Sequence, residues 1–280
     1  MLIIYDFTPR ITIFTDNITT LESLLIYAMK TILYQSDYLG NGFEFATINQ
    51  PDDYEGKVVA TVIRKQCSMP SNKAVLYVHG FNDYFFQSDM AQKFNEKGFH
   101  FYAVDLRKYG RSTLPHHKSN NMRSLTEYFA DLDEALDIIR QEGNEQVLLS
   151  GHSTGGLLVT LYASERVGNE KFDTIFCNSP FYDMNMPGYQ KRLLVPLVAL
   201  FGKYFPDVLL PGKISEWYGH SLHGEKKGEW DYNLVWKPHL VPALNAGWIS
   251  AIHQGHTKIK KGIILTRPIL VMHSHQSIYS

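Results

Sequence analysis

The sequence predicts an α/β fold, a doubly wound and mostly parallel sheet, and three observations predict it. Short β-branched runs alternate with longer helix-patterned segments, the runs are apolar at successive positions, and turn residues mark their boundaries. A strand that is apolar at every position is buried on both faces, the condition of a parallel sheet covered by helices.

Taken in order, Thr61-Val62-Ile63 closes a first run, and Lys73 to Val78 is a second, set between Pro70-Ser71-Asn72 and His79-Gly80. Phe99 to Val104, Gln146 to Leu149, Thr174 to Cys177 and Pro268 to Met272 follow. Ser124 to Glu142 places Leu125, Phe129, Leu132, Leu136 and Ile139 three or four residues apart, so a helix is predicted there. Ser124 with Glu127 makes a capping box, and Gly143-Asn144 ends the helix. Asp131 and Asp133, two apart, point to different faces and read as solvated charges rather than a shared acid/base pair. Phe181 to Ile264 shows no strand pattern and reads as an insertion over the sheet. Leu193, Leu194, Val195, Leu197, Val198, Leu200 and Phe201 make its first part too apolar for a solvated helix, so the core or a ligand is expected to cover it.

The 280 residues fit one large domain spanning 1–280, with 44% hydrophobic and 20% charged residues. With 27 basic against 28 acidic side chains, electrostatically driven nucleic-acid binding is not expected. Cys67 and Cys177 are too few for a disulfide framework, and Cys177 falls in a buried-strand run. Met1 to Phe7 lacks a basic n-region and a small-residue cleavage site. The apolar stretches Leu21 to Leu33 and Leu193 to Phe205 are interrupted by charge. A cytoplasmic protein without a stable membrane anchor is the expectation.

Ser150-Gly151-His152-Ser153-Thr154-Gly155-Gly156 holds the pattern G-x-S-x-G. The pattern alone is weak; its setting is not. It follows the apolar run Gln146 to Leu149 and precedes the helically spaced Leu157 to Glu165, the strand, sharp turn and helix that a nucleophile elbow requires. The small residues two before and two after Ser153 let strand and helix approach closely enough to hold a strained turn. The helix that starts there aims its N-terminal N–H groups at any oxyanion formed on Ser153. A second oxyanion donor is expected from the loop after an earlier strand. His79-Gly80-Phe81 stands right after Val78, so the amides of Phe81 and Thr154 are the candidate donors.

These residues resemble the monoacylglycerol lipase and lysophospholipase-like branch of the α/β hydrolases, often grouped with serine aminopeptidases. Gly42-Phe43-Glu44 with Gly56 to Thr61, His79-Gly80-Phe81, Asp105 to Ser112, Gly151 to Gly156 and Asn178-Ser179-Pro180-Phe181 carry the likeness, from about Tyr38 onward. The family usually reads D-x-R-G-x-G-x-S where this chain has Asp105 to Ser112, with Lys108 in place of the first glycine. The resemblance implies that Ser153 is the nucleophile, that the Phe81 and Thr154 amides form the oxyanion hole, and that 184–260 is a helical cap shaping an acyl-chain pocket.

A serine hydroxyl needs a histidine to take its proton and a carboxylate to orient that histidine. In the family the acid follows the strand matched by Ile269 to Met272, and the histidine follows one strand later. The sequence runs only to Ser280, so the last strand and helix of the fold, and with them both family positions, are expected to be missing. Asp183 is a conceivable substitute acid, with His223, His239, His253, His256, His273 and His275 as candidate bases. Losing the base costs on the order of 10⁶ in turnover, about 8 kcal/mol of transition-state stabilisation. An uncovered Ile269 to Met272 would be an apolar sheet edge.

His116-His117 and His273-Ser274-His275 lack the third ligand of a zinc site, so neither metal nor cofactor is expected. Lys258, Lys260 and Lys261 read as charges keeping a loop soluble. The expected function is hydrolysis of a small-molecule ester with a medium or long acyl chain, such as a monoacylglycerol or lysophospholipid, through an acyl-enzyme on Ser153. A non-catalytic fold binding an apolar ligand or partner and a serine aminopeptidase are the alternatives.

Overall fold

The computed structural model describes residues 32–211 and 216–275, and the chain divides into two units, 1–33 and 34–280. Most of the apolar stretch Leu21 to Leu33 lies outside the described residues. In the second unit the strands are β1 (Gln35–Ser36), β2 (Glu44–Asp53), β3 (Gly56–Lys65), β4 (Lys73–Val78), β5 (His100–Asp105), β6 (Gln146–His152), β7 (Thr174–Asn178) and β8 (Ile269–Met272). They form one sheet in the order β1-β2-β3-β5-β4-β6-β7-β8. The pairings β1–β2, β2–β3 and β3–β5 are antiparallel, and those from β5 through β4, β6 and β7 to β8 are parallel.

The predicted run Lys73 to Val78 is β4 itself, and all of it but Lys73 is buried. Gln146 to Leu149 extends to His152, because Ser150 to His152 go on pairing with Phe176 to Asn178. Helices α1 (Ser88–Glu96), α2 (Phe129–Gln141) and α3 (Thr154–Glu165) connect the parallel strands. The helix predicted from Ser124 divides into a 3-10 turn, Leu125–Tyr128, followed by α2. Its capping box forms, with Ser124 N–H donating to Glu127 Oε1 at 2.9 Å. α3 is buried almost all round, with Leu157, Leu158, Val159, Leu161 and Tyr162 in the core.

Between β7 and β8 the chain leaves the sheet and forms α4 (Gly188–Tyr204), α5 (Trp217–Leu222) and α6 (Ala246–Lys260), with only isolated bridges among the described residues. α6 packs on α3 and α4. Among the described residues the core covers little of the first part of this excursion: on α4, Leu193 is 68% and Leu197 66% exposed. Only Val195, Ala199 and Gly202 of α4 are buried, so the helix is seated on a narrow small-residue stripe. β8 is exposed at all four positions. No helix among the described residues is long and apolar enough to cross a membrane.

Asp131 corrects the sequence reading, for it is fully buried, and Arg107 grips it through Nη2 at 2.7 Å and through its backbone N–H at 3.0 Å. Asp131 and Asp133 do point apart, but burial supplies Asp131 with a cation 24 residues away in the chain, which helix spacing does not reveal. Lys258 and Lys260 lie within α6 rather than on a loop, paired with Glu165 and Asp183.

Candidate active site

The turn joining β6 to α3 is strained at the sheet's carboxyl edge. Ser153 sits at its tip with φ 53° and ψ −119°, in the region that disfavours any side chain bearing Cβ. Close packing holds it there. A Cβ on Gly151 would lie 2.5 Å from Gly155 O, and one on Gly155 would lie 2.4 Å from both Val78 O and His79 O, so strand and helix meet at backbone distance. The Ser153 N–H donates to Asn178 O at 3.1 Å, and the Ser153 carbonyl accepts from Phe181 N–H at 2.9 Å. The end of β7 thus braces the turn from the far side.

The loop after β4 passes directly over this serine: a Cβ built on Gly80 would lie 3.2 Å from Ser153 Cβ. His79, 1% exposed, orients that loop. Its Nε2 accepts from Leu106 N–H at 3.1 Å, which leaves the proton on Nδ1, and Nδ1 donates to Gly80 O at 2.8 Å. Gly80 C=O and Phe81 N–H belong to one trans peptide plane and point in opposite directions. Pinning the carbonyl to His79 therefore turns the Phe81 amide away from His79. Thr154 opens α3 and its N–H has no intrahelical acceptor, so the two donors expected from the sequence come from elements that meet at Ser153.

The stretch 105–112 supports the loop with buried charge. Asp105 accepts from Phe85 N–H at 2.8 Å and pairs with Arg111 at 2.8 Å, while Arg111 also reaches Asp37 at 2.7 Å. Lys108, where the resemblance leads one to expect glycine, keeps the glycine-like backbone at φ 67°. Its ammonium, fully buried, lies 2.6 Å from Asp53 and 3.1 Å from Glu55. The lysine ties the loop to the β2–β3 hairpin.

Beside the turn, a cavity of about 260 Å³ opens at the carboxyl ends of β4, β6 and β7. Tyr77, Phe86, Met90, Phe176 and Trp230 give it an apolar wall, with His152 and Asn178 on its polar side. Burial holds His152 below the ordinary imidazole value, so its ring is neutral at neutral pH. Asp83, which the sequence does not single out, lines the same cavity and pairs with Lys237 at 2.8 Å, both side chains 7% exposed. No pattern in the sequence links two residues so far apart.

None of the candidate bases hydrogen-bonds the Ser153 hydroxyl among the described residues. His256, 3% exposed, uses Nε2 on Phe181 O at 2.7 Å, behind the turn. His223 bonds Tyr232 O, His239 lies against His220 and His223, and His273 and His275 are exposed. Asp183 is taken by Lys191 at 2.6 Å and Lys260 at 3.2 Å. His116 and His117 both donate to Lys57 O at 2.9 Å. No group of three or more His, Cys, Asp or Glu among the described residues could hold a metal ion.

No curated protein sequence matches the chain. Among solved structures it is similar to a soluble variant of monoglyceride lipase from Saccharomyces cerevisiae in complex with a substrate analog. That likeness has 17% identity and TM-score 0.58 over 88% of this chain and 78% of that one. Monoacylglycerol lipase from Paleococcus ferrophilus is similar at 19% identity and TM-score 0.56, over 75% and 76% of the two chains. A thermostable carboxyl esterase from Bacillus coagulans, in complex with glycerol, is similar at 16% identity and TM-score 0.57, over 80% and 78%. At these identities the likenesses show the fold, that of the α/β hydrolases. The family described as Serine aminopeptidase, S33 matches residues 69–276, a span that runs from the approach to β4 past β8 and takes in the whole Ser153 turn, and the chain belongs to that family.

Proposed function

We propose that the chain is a serine ester hydrolase, of monoacylglycerol lipase or lysophospholipase type, working through an acyl-enzyme on Ser153. Ser153 Oγ attacks the ester carbonyl, the amides of Phe81 and Thr154 hold the oxyanion, and the alcohol leaves before water releases the acid. The observation that carries this reading is the positive-φ turn at Ser153 with Gly80 packed against its Cβ. Residues 184–260 are the cap, and the apolar cavity wall at Tyr77, Phe86, Met90 and Phe176 suits an acyl chain. The lipase and esterase likenesses favour an ester over a peptide bond.

No imidazole hydrogen-bonds the Ser153 hydroxyl among the described residues, and we infer from this that the 280-residue chain works far below a complete triad. A residual rate of about 10³ over water is what oxyanion donors and binding alone supply. The test is to expose the purified chain and its Ser153→Ala variant to a fluorophosphonate probe, and to assay p-nitrophenyl esters of several chain lengths beside aminoacyl p-nitroanilides. Slow labelling confined to Ser153, with weak ester turnover lost in the variant, is expected. Labelling that survives Ser153→Ala refutes the reading. Absence of labelling with retained binding of a fatty-acyl probe favours the non-catalytic alternative, and preferential anilide cleavage favours the aminopeptidase.

A further inference from the structure

We propose that residues 216–232 form an acid-released flap beside the Phe81 loop, latched closed at neutral pH by packing of His220 and His223 on His239. The inference does not depend on acyl-enzyme chemistry at Ser153.

Three imidazoles from two passes of the chain meet in this region. The ring of His239 stands edge-on to His220 at 5.0 Å and to His223 at 5.3 Å, both at 81°. It lies on bare backbone: a Cβ on Gly219 would come within 2.9 Å of His239 Nδ1. Both ring nitrogens of His239 are buried and bond to no protein group. A proton placed on either would therefore be a shielded charge without an acceptor.

His223 is 3% exposed, and both of its ring nitrogens are engaged. Its Nδ1 accepts from Glu225 N–H at 3.2 Å, so Nε2 carries the proton and donates to Tyr232 O at 3.2 Å. A second proton on Nδ1 would face the Glu225 N–H, donor against donor. The turn itself hangs on these residues: Lys226 N–H and Gly228 N–H donate to His223 O at 2.9 and 3.1 Å, and Lys227 N–H donates to His220 O at 3.0 Å.

Two carboxylates stand beside the outer rings of the cluster. Glu216 is 3.8 Å from His220, and Asp231, fully exposed, is 3.9 Å from His223. His239 itself has Lys226 nearby, and Glu225 is the acidic side chain that opposes it. Burial first, then His220 and His223, hold His239 below the ordinary imidazole value. Lys237, two residues before His239, is paired with Asp83. Because the closed form resists protons that the open form accepts, the latch holds above the ordinary histidine range and weakens as pH falls through it.

The release is local. Asn233 N–H donates to Tyr84 OH at 2.7 Å, Lys237 pairs with Asp83, and Asn82 Nδ2 donates to Pro238 O at 3.2 Å, so 233–238 stays on the core. What opens is a cavity of about 120 Å³ bounded by Phe81, Asn82, Gly219 and His239, together with the Trp230 side of the 260 Å³ cavity. Acid would thus admit solvent or ligand beside Phe81 without unfolding the sheet.

Hydrogen exchange on the full 280-residue chain tests this at about pH 7.5 and about pH 5.5, after correction for the intrinsic rates. Opening of amides in 219–230 is expected to rise about tenfold or more, the response to one coupled proton, while β4 and β6 keep their protection. His239→Phe keeps a ring but takes no proton, and should reduce the response to under about threefold. Should that variant fail to fold, His220→Gln should reduce it in the same direction. Equal protection at both pH values, loss across the whole domain at once, or an unaltered response in the variants overturns the proposal. So does protection at neutral pH that collapses with a chelator, which would make the latch a metal site.

Discussion

The Nδ1–H of His79 donates to the carbonyl oxygen of Gly80 at 2.8 Å, and this one bond sets the direction of the next amide, that of Phe81. The same ring accepts Leu106 N–H at 3.1 Å, so His79 joins the loops after β4 and β5. His79→Leu keeps the bulk and removes both bonds, leaving a buried N–H and a carbonyl to find other partners. Urea unfolding is expected to show a loss of about 1–3 kcal/mol for each group left unsatisfied. Hydrogen exchange at Phe81 should rise at the same time. Unchanged stability together with an unchanged Phe81 amide would remove His79 from this role.

Lys108→Gly separates backbone from charge. Glycine suits the φ of 67° better than lysine does, and by that measure alone the variant would be more stable. It also leaves Asp53 and Glu55 without their shared ammonium, both carboxylates about one-tenth exposed. Breaking a buried pair from one side costs about 3–5 kcal/mol, which outweighs a conformational gain of about 1 kcal/mol. A lower denaturant midpoint is the expected outcome, and a raised one would show that the ion pairs contribute nothing net.

Gly155→Ala tests the close approach beneath the nucleophile turn. The added methyl would sit 2.4 Å from two backbone oxygens, neither of which can rotate aside. The helix must shift, at a cost of about 1–3 kcal/mol or more. Fluorophosphonate labelling of Ser153 should fall with it, whereas the surface change Leu197→Ser on α4 should alter stability by no more than about 0.5 kcal/mol. Equal effects of the two substitutions on labelling would contradict the assigned role of the turn.

His256 gives stability a pH dependence of definite sign. It is 3% exposed, and burial holds it below the ordinary imidazole value, as it does His152. The unfolded chain therefore takes up these protons first. The stability contributed by the neutral rings is complete above the unfolded value of about 6.5 and declines as pH falls below it. Denaturant midpoints measured across that range should drop toward acid, and His256→Gln should flatten the drop. A midpoint that rises toward acid would reverse the sign and refute the assignment.

Much of the sheet could be read from local pattern. β4 and β8 are runs of successive apolar residues, and their ends fall where Pro70 to Asn72 and His79-Gly80 on one, and Pro268 and His273 on the other, interrupt that pattern. β2 was not legible in the same way. Its residues alternate between buried and exposed because it pairs antiparallel near the sheet's edge, so it shows no continuous apolar run. The capping box at Ser124 and Glu127 was legible because its partners lie within one helical turn. Asp131 was not, because its partner Arg107 arrives from the loop after another strand.

By itself the sequence determined the parallel α/β architecture and the Ser153 turn, since both depend on residues within a few positions of one another. Apolar periodicity sets burial, and glycine spacing sets how closely β6 and α3 can meet. Tertiary structure decided which buried charges pair, Lys108 with Asp53 and Lys237 with Asp83, and which candidate histidines stand away from the serine hydroxyl. Those outcomes turn on where distant segments cross, and an ammonium or an imidazole acquires its partner and its protonation state only from that crossing.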